Sequence, residues 1–288
     1  MDRMTTPAPA EILRYTAFST DPAGGNPAGV VLDARALDDE TMLAVAAEVG
    51  YSESAFVTER DDAERRFQVR YFSPLVEVDF CGHATIATAV ALAELLSEGP
   101  LVFATKAGEI TLDTGKDDSG AIRATLTSVP TRTRPASDAE LDAALAALRW
   151  SRDDLDPALP PHVAFGGVEH LVLAAATRER LRELDYDFDG LAEVMRRHHW
   201  ITLQLVWRED DALFHARDPF PIGGVVEDPA TGAAAAALGG YLRELGALPD
   251  AGAFTIRQGE DMGRPSLLRV ESLPGTGRIR VSGTAVRL

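Results

Sequence analysis

With 288 residues the chain is long enough for one large domain or two of ordinary size. Its 45 acidic against 28 basic side chains leave a net charge of −17, a field that repels DNA, RNA and anionic lipid and argues against nucleic-acid or membrane-surface binding. Cys81 is the only cysteine, which rules out an intrachain disulfide and a cysteine-rich metal site.

Residues 1–10 lack the apolar core of a signal peptide, and no apolar run reaches membrane-spanning length. A cytoplasmic setting is therefore expected. The first strand is predicted at 12–18 (ILRYTAF). Glycine, proline and asparagine crowd residues 19–29, predicting a tight irregular loop, with a return strand at 30–32. Asp38, Asp39 and Glu40 open a helix running to Val49, with Leu37, Met42, Leu43 and Ala46 as its apolar face. Gly50 ends it. Glu53 then stands at a helix-to-strand corner before Ala55, Phe56 and Val57, where a half-buried carboxylate can serve as a proton carrier.

A charged, exposed turn is expected at 59–65, then an alternating strand at 67–72 and a short one at 76–78. The stretch from Asp79 to Leu96 (DFCGHATIATAVALAELL) opens on a glycine corner. It carries no charge from Ala84 to Ala93, so a helix enclosed on every side is predicted there. Strands are expected at 101–105, 109–112 and 121–126. Residues 129–138 (VPTRTRPASD) read as a link, which divides the chain into domains at 1–128 and 129–288.

The second half opens with a helix at 139–148. A glycine turn at 165–170 leads to a strand at 171–174. A helix is expected at 188–198, and strands at 201–207 and 213–216. Glu227, Asp228, Pro229, Ala230, Thr231 and Gly232 then lead into a second alanine-rich, uncharged helix, 233–242, whose Gly239 and Gly240 permit close approach of neighbouring walls. Strands follow at 255–259, 266–270, 279–281 and 285–288, the last two joined by a turn at 282–284. Short strands with glycine turns around two enclosed helices predict an α+β fold with curled sheets.

The two helix mouths hold the candidate chemistry. Helix N-termini present backbone N–H groups to an anion, and two of them turned to one cleft would hold a carboxylate or enolate. His83 lies in the first turn of its helix, where a neutral imidazole can pass a proton. Asp228 takes the mirrored place, and Thr231 is a candidate helix cap. Cys81 invites a thiolate reading, since a helix N-terminus favours that form, but a two-thiol racemase needs a second cysteine. The glycines at 24–29 match neither a phosphate-binding loop nor a dinucleotide fingerprint. No cofactor and no metal are expected.

The sequence resembles the PhzF-like family of phenazine biosynthesis, related in fold to diaminopimelate epimerase. The resemblance is carried by GGNPAGVVLD (24–33), GYSESAFV (50–57) and YFSPLVEVDFCGHATIATA (71–89). In the second half it is carried by EDPATGAAAAALGGYL (227–242), QGEDMGRPS (258–266) and VSGTAV (281–286). It implies two similar domains, each a curled mixed sheet wrapped around a central helix, with the active site between them. It also implies a homodimer and a cofactor-independent isomerase or epimerase acting on a small carboxylate-bearing substrate. By this likeness Glu53 shuttles the proton, Gly82 and His83 match the family's GH pair, and Asp228 matches the acid of its DPATG segment. The same segments place Asn26, Ser52, Gly82, Thr231, Gly232 and Ala233 around the substrate. Ala233 stands where the phenazine enzyme has serine, which removes one polar substrate contact. A dehydratase or lyase using the same Glu53, and a non-catalytic binding protein on the same scaffold, are the alternative readings.

Overall fold

A computed structural model describes residues 11–288; the reading of residues 1–10 as lacking a signal peptide lies outside the described residues. The described chain is an α+β fold and divides into two compact units. One holds the described chain to Pro22, Pro27–Ala124 and Thr284–Leu288; the other holds Ala23–Asn26 and Thr125–Gly283. No helix among the described residues is long and apolar enough to cross a membrane.

The first unit is built from β1 (Leu13–Ala17), β2 (Asn26–Val31, from Pro27 onward), α1 (Asp39–Val49), β3 (Glu53–Asp61), β4 (Arg66–Phe72), β5 (Glu77–Val78), α2 (Gly82–Leu96), β6 (Gly99–Thr105) and β7 (Gly108–Lys116). Its sheet is mixed: β2 runs parallel to β3, and β4 parallel to β6, while β3–β4, β4–β5 and β6–β7 are antiparallel. Residues 54–57 of β3 are all buried, because α1 covers one face through Met42 and Ala46 against Val31, Phe56 and Phe72, while α2 packs against β1, β3 and β7. Every residue of α2 from His83 to Ala93 is buried, as the uncharged run predicted. Its first charged side chain, Glu94, accepts a 2.5 Å hydrogen bond from the Tyr15 hydroxyl.

Two expectations for this half are corrected. The glycine-rich segment is not irregular to its end, for residues 26–29 already belong to β2, where Ala28 and Gly29 pair with Glu53 and Ser54. The glycines before it are held by Arg264, whose guanidinium donates to the carbonyls of Gly24 (2.7 Å) and Gly25 (2.8 Å). The charged residues 59–61 are strand rather than turn; they pair with 66–68 after a bulge between Val57 and Glu59.

Through β8 (Ile122–Thr127) the chain enters the second unit. There follow β9 (Arg132–Pro135), α3 (Asp138–Leu148), β10 (His162–Phe165), β11 (Glu169–Ala174), α4 (Arg178–Arg182), α5 (Phe188–His198), β12 (Trp200–Arg208), β13 (Leu213–Phe220) and β14 (Val225–Asp228). The last elements are α6 (Gly232–Glu244), β15 (Ala253–Gln258), β16 (Ser266–Ser272) and β17 (Ile279–Arg287), whose residues from Thr284 onward belong to the first unit. β11–β12 and β13–β15 are parallel, while β9–β10, β10–β11, β12–β13, β13–β14, β15–β16 and β16–β17 are antiparallel. α6 packs against β9, β10, β11, β12 and β16. Leu141, Leu145 and Leu148 of α3 and Leu191 and Met195 of α5 form a second core with Leu171, Leu173, Leu203 and Leu205.

The close approach predicted at the α6 glycines is present. A Cβ on Gly239 would lie 2.9 Å from Val270 Cγ1, and one on Gly240 would lie 2.4 Å from Thr131 Oγ1. The expected link at 129–138 contains β9, which pairs antiparallel with β10. The expected turn at 282–284 is continuous strand, since β17 pairs with β16 through Ser282 and with β1 from Ala285.

Candidate active site

Four helices among the described residues begin with a side-chain cap. Asp38 accepts from Thr41 N, Ser137 from Glu140 N, Thr177 from Arg180 N and Asp187 from Gly190 N. The two enclosed helices do not: neither Cys81 at the N-cap of α2 nor Thr231 at the N-cap of α6 makes a side-chain cap bond. Forgoing a cap costs about 1 kcal/mol per helix. It leaves the first amides facing outward, ahead of the first helical bonds from Thr85 N to Cys81 O and from Ala235 N to Thr231 O, both 3.0 Å.

At the α2 mouth, chain direction brings three reactive side chains together. Gly50, in the left-handed conformation, ends α1, and Glu53 becomes the first residue of β3, opposite Ala28. Its carboxylate Oε2 lies 3.6 Å from His83 Nε2 and 3.6 Å from Cys81 Sγ. Cys81 Sγ is 3.4 Å from His83 Nδ1, and the Ser52 hydroxyl is 3.4 Å from His83 Nε2. His83 and Cys81 are buried and Glu53 is partly so. Gly82, between them, has no side chain to crowd the mouth. Behind the helix start, Thr85 donates to the Cys81 carbonyl (2.7 Å) and meets the Tyr71 hydroxyl (2.6 Å), which fixes the turn from within.

The α6 mouth is organised around Asp228, the last residue of β14. Its Oδ1 accepts from Asn26 Nδ2 at 2.8 Å, and its Oδ2 from the Thr231 hydroxyl at 2.6 Å. The Thr231 hydroxyl is thus engaged by the carboxylate three residues earlier, which corrects its reading as a helix cap. Asn26 also donates to the Ala230 carbonyl at 3.1 Å. Gln258 completes the corner, donating to the Asp228 carbonyl at 2.8 Å and accepting from Thr231 N at 3.2 Å. Gly232 and Ala233 are the first two helical residues. The backbone of Gly166 presses so close to Ala233 that a Cβ would meet the Ala233 carbonyl at 2.4 Å.

Asp218 lies cross-strand from Asp228 and is fully buried. Burial pushes its carboxyl well above the usual range; the negative charges of Asp228 and Glu227 add to this, and hydroxyls of Thr231 and Thr202 oppose it. With its amide turned to face them, Gln204 donates to both Asp218 oxygens, at 2.9 and 3.0 Å. Beyond Thr202 stands His170, 2.8 Å from its hydroxyl and lowered to about 4 by burial.

Sequence reasoning singled out Glu53, Ser52, Gly82 and His83, which the structure brings together in one unit. It also found Asn26, Asp228, Thr231, Gly232 and Ala233, which meet in the other. It missed Gln258 and Asp218 and left Cys81 without partners. Gln258 opens the matched QGEDMGRPS segment, the one signal that pointed to it.

The family model described as phenazine biosynthesis-like protein matches residues 15–288. An uncharacterized isomerase of Bacillus subtilis is 31% identical over 290 residues, covering 96% of each chain. The trans-2,3-dihydro-3-hydroxyanthranilate isomerase of Pseudomonas fluorescens is 32% identical over 279 residues, covering 94% of each. Among solved structures, the PhzF-family phenazine biosynthesis protein of Bacillus anthracis superposes with a TM-score of 0.85 at 25% identity, over 97% of both chains. With a family model matched from β1 to the last residue and isomerases alike over nearly their whole length, the chain belongs to the PhzF-like phenazine-biosynthesis family and has its diaminopimelate epimerase-like fold.

Proposed function

We propose that the protein is a cofactor-independent isomerase or epimerase that moves a proton at a carbon next to a substrate carboxylate. The observation that carries this is the pair of enclosed helices that alone among the six α-helices of the described residues lack a side-chain cap while carrying acid–base groups at their mouths. Uncapped amides bind a carboxylate or the enolate formed from it. Glu53 takes the carbon-bound proton and returns it, and His83, 3.6 Å away, orients that carboxylate and relays charge. Asp228, oriented by Asn26 and Thr231, is assigned the second acid–base role, with Ser52, Gly82, Gly232 and Ala233 lining the substrate.

The isomerase of Pseudomonas fluorescens names one substrate to try, trans-2,3-dihydro-3-hydroxyanthranilate, among small carboxylates and cyclic amino acids. The same reading takes the two halves of the chain as similar domains, 1–128 and 129–288, each a sheet curled round its enclosed helix, and the protein as a homodimer. The test is solvent deuterium incorporation across that panel. Glu53→Gln should lower incorporation into an accepted substrate by about a hundredfold or more while the carboxylate still binds. Incorporation at the wild-type rate in Glu53→Gln would remove Glu53 from the role assigned to it.

A further inference from the structure

The α2 mouth gathers three donor atoms of different chemistry. Glu53, Cys81 and His83 form the one group of three metal-ligating side chains among the described residues whose ligand atoms all lie within 4.8 Å of one another. We propose that these three side chains bind a thiophilic divalent cation of the zinc class, and that its binding switches the site off. The switching half rests on the function proposed above; the binding half stands on geometry alone.

The separations fit. Oε2 to Sγ is 3.6 Å, Oε2 to Nε2 is 3.6 Å and Sγ to Nε2 is 3.8 Å. Tetrahedral zinc, with bonds of about 2.3 Å to sulfur and about 2.0–2.1 Å to nitrogen and oxygen, separates its sulfur and nitrogen ligands by about 3.6 Å and its nitrogen and oxygen ligands by about 3.4 Å. Shifts of a few tenths of an ångström bring all three into the first shell. The donors are also held in place. Cys81 and His83 are more than nine-tenths buried at the start of a helix enclosed along its length, and Glu53 is fixed by its strand.

The set is selective. A thiolate and an imidazole favour zinc, whereas magnesium and calcium prefer oxygen alone. The fourth position is left to water or to the Ser52 hydroxyl, 3.4 Å from Nε2. The partial positive end of α2 opposes a dication, at roughly half a charge; the carboxylate and thiolate together supply two negative charges against it. Binding converts the thiol to a metal thiolate and releases its proton to solvent, so affinity rises with pH. A bound cation occupies the Glu53 oxygen and the imidazole nitrogen that would otherwise handle the substrate proton.

The test uses the reduced, metal-free full-length protein titrated with cobalt(II), then zinc. Wild type should show a near-ultraviolet sulfur-to-cobalt charge-transfer band, abolished in Cys81→Ala, displaced by zinc and untouched by magnesium. Zinc affinity should fall at least about tenfold in Glu53→Gln and in His83→Ala, more than the loss of an outer-shell partner brings at its mildest. Glu53→Gln changes a partly exposed strand start and keeps the measurement available should the buried histidine variant fail to fold. Absence of the band in wild type, or zinc binding in Cys81→Ala as tight as in wild type, overturns the site. Deuterium incorporation should stop on adding zinc and return with a chelator; incorporation that persists at saturating zinc overturns the switch. A wild type that exchanges no substrate without zinc counts against the proposed function, while the cobalt spectrum still decides the metal site.

Discussion

Asn26→Asp replaces one donor by one acceptor at constant shape, in the place where the Asp228 carboxylate is held. The Asn26 amide is 1% exposed and gives its protons to Asp228 Oδ1 at 2.8 Å and to the Ala230 carbonyl at 3.1 Å. Losing the charge-assisted bond removes about 1.5–3 kcal/mol, and the orphaned Ala230 carbonyl adds about 1 kcal/mol or more. Two carboxylates at that separation cannot both ionise, so the folded protein must take up a proton that the unfolded chain does not bind at neutral pH. The sign follows. The shared proton has a folded pKa above its unfolded value, so the penalty is smallest below about pH 4 and grows by about 1.4 kcal/mol per unit as pH rises toward the folded pKa. At pH 7 a loss of at least about 4 kcal/mol is expected, or roughly 8 °C or more in the melting of a unit of this size. Calorimetric scans of wild type and variant from pH 5 to 8 read it directly, since both residues belong to the same compact unit. A melting difference that is constant across that range would refute the reasoning, because it would mean that the new carboxylate does not share a proton with Asp228.

Glu140 closes the capping box of α3 and pairs with Arg134 at 2.6 Å, which holds its carboxyl at about 2. A depressed carboxylate stabilises the fold above its unfolded pKa and loses that contribution as pH falls from about 4.5 toward 2, here about 2 kcal/mol once the half-exposed Arg134 is allowed for; Glu140→Gln should flatten this acid limb in melts between pH 2 and 6. Gly166→Ala drives a Cβ to 2.4 Å from the Ala233 carbonyl and 2.7 Å from Ala237 N, backbone atoms with no rotamer to yield. It should cost about 1–3 kcal/mol in chemical denaturation and lower deuterium incorporation by shifting the start of α6; a variant as stable as wild type would contradict this contact.

The enclosed helices were legible because burial leaves a compositional mark. No charge is tolerated from Ala84 to Ala93, and the residues from His83 to Ala93 are all buried. α5 was legible for another reason, for Asp187 caps it and Arg196, Arg197 and His198 close it. What failed to show was pairing at edges. β9 reads as a link because its four residues, Arg132–Pro135, are exposed or only partly buried, so no apolar alternation marks them; the strand exists because Val163 and His162 stand opposite. Gly283 reads as a turn in β17 because its neighbours are small and polar, while the strand runs on by changing partner from β16 to β1. Partner choice is a tertiary fact with no local signal.

The site shows the same division between what a residue is and whom it meets. Glu53, His83 and Asp228 were found by type and by neighbouring pattern, yet nothing local says that the Thr231 hydroxyl serves Asp228 instead of the helix behind it. Any of serine, threonine or aspartate at position 81 would offer α2 the cap bond that Asp38, Ser137, Thr177 and Asp187 give their helices, worth about 1 kcal/mol. At Cys81 the chain instead has a weak acceptor whose sulfur lies 3.6 Å from a carboxylate and 3.4 Å from an imidazole. At Thr231 a good capping residue is present and its hydroxyl is turned to Asp228. Chance would more readily leave one helix uncapped through poor composition than two by different means. Both means leave amides at the mouth of a buried helix beside a group that can hold a proton, the two kinds of group that the carboxylate substrate proposed above would use at once.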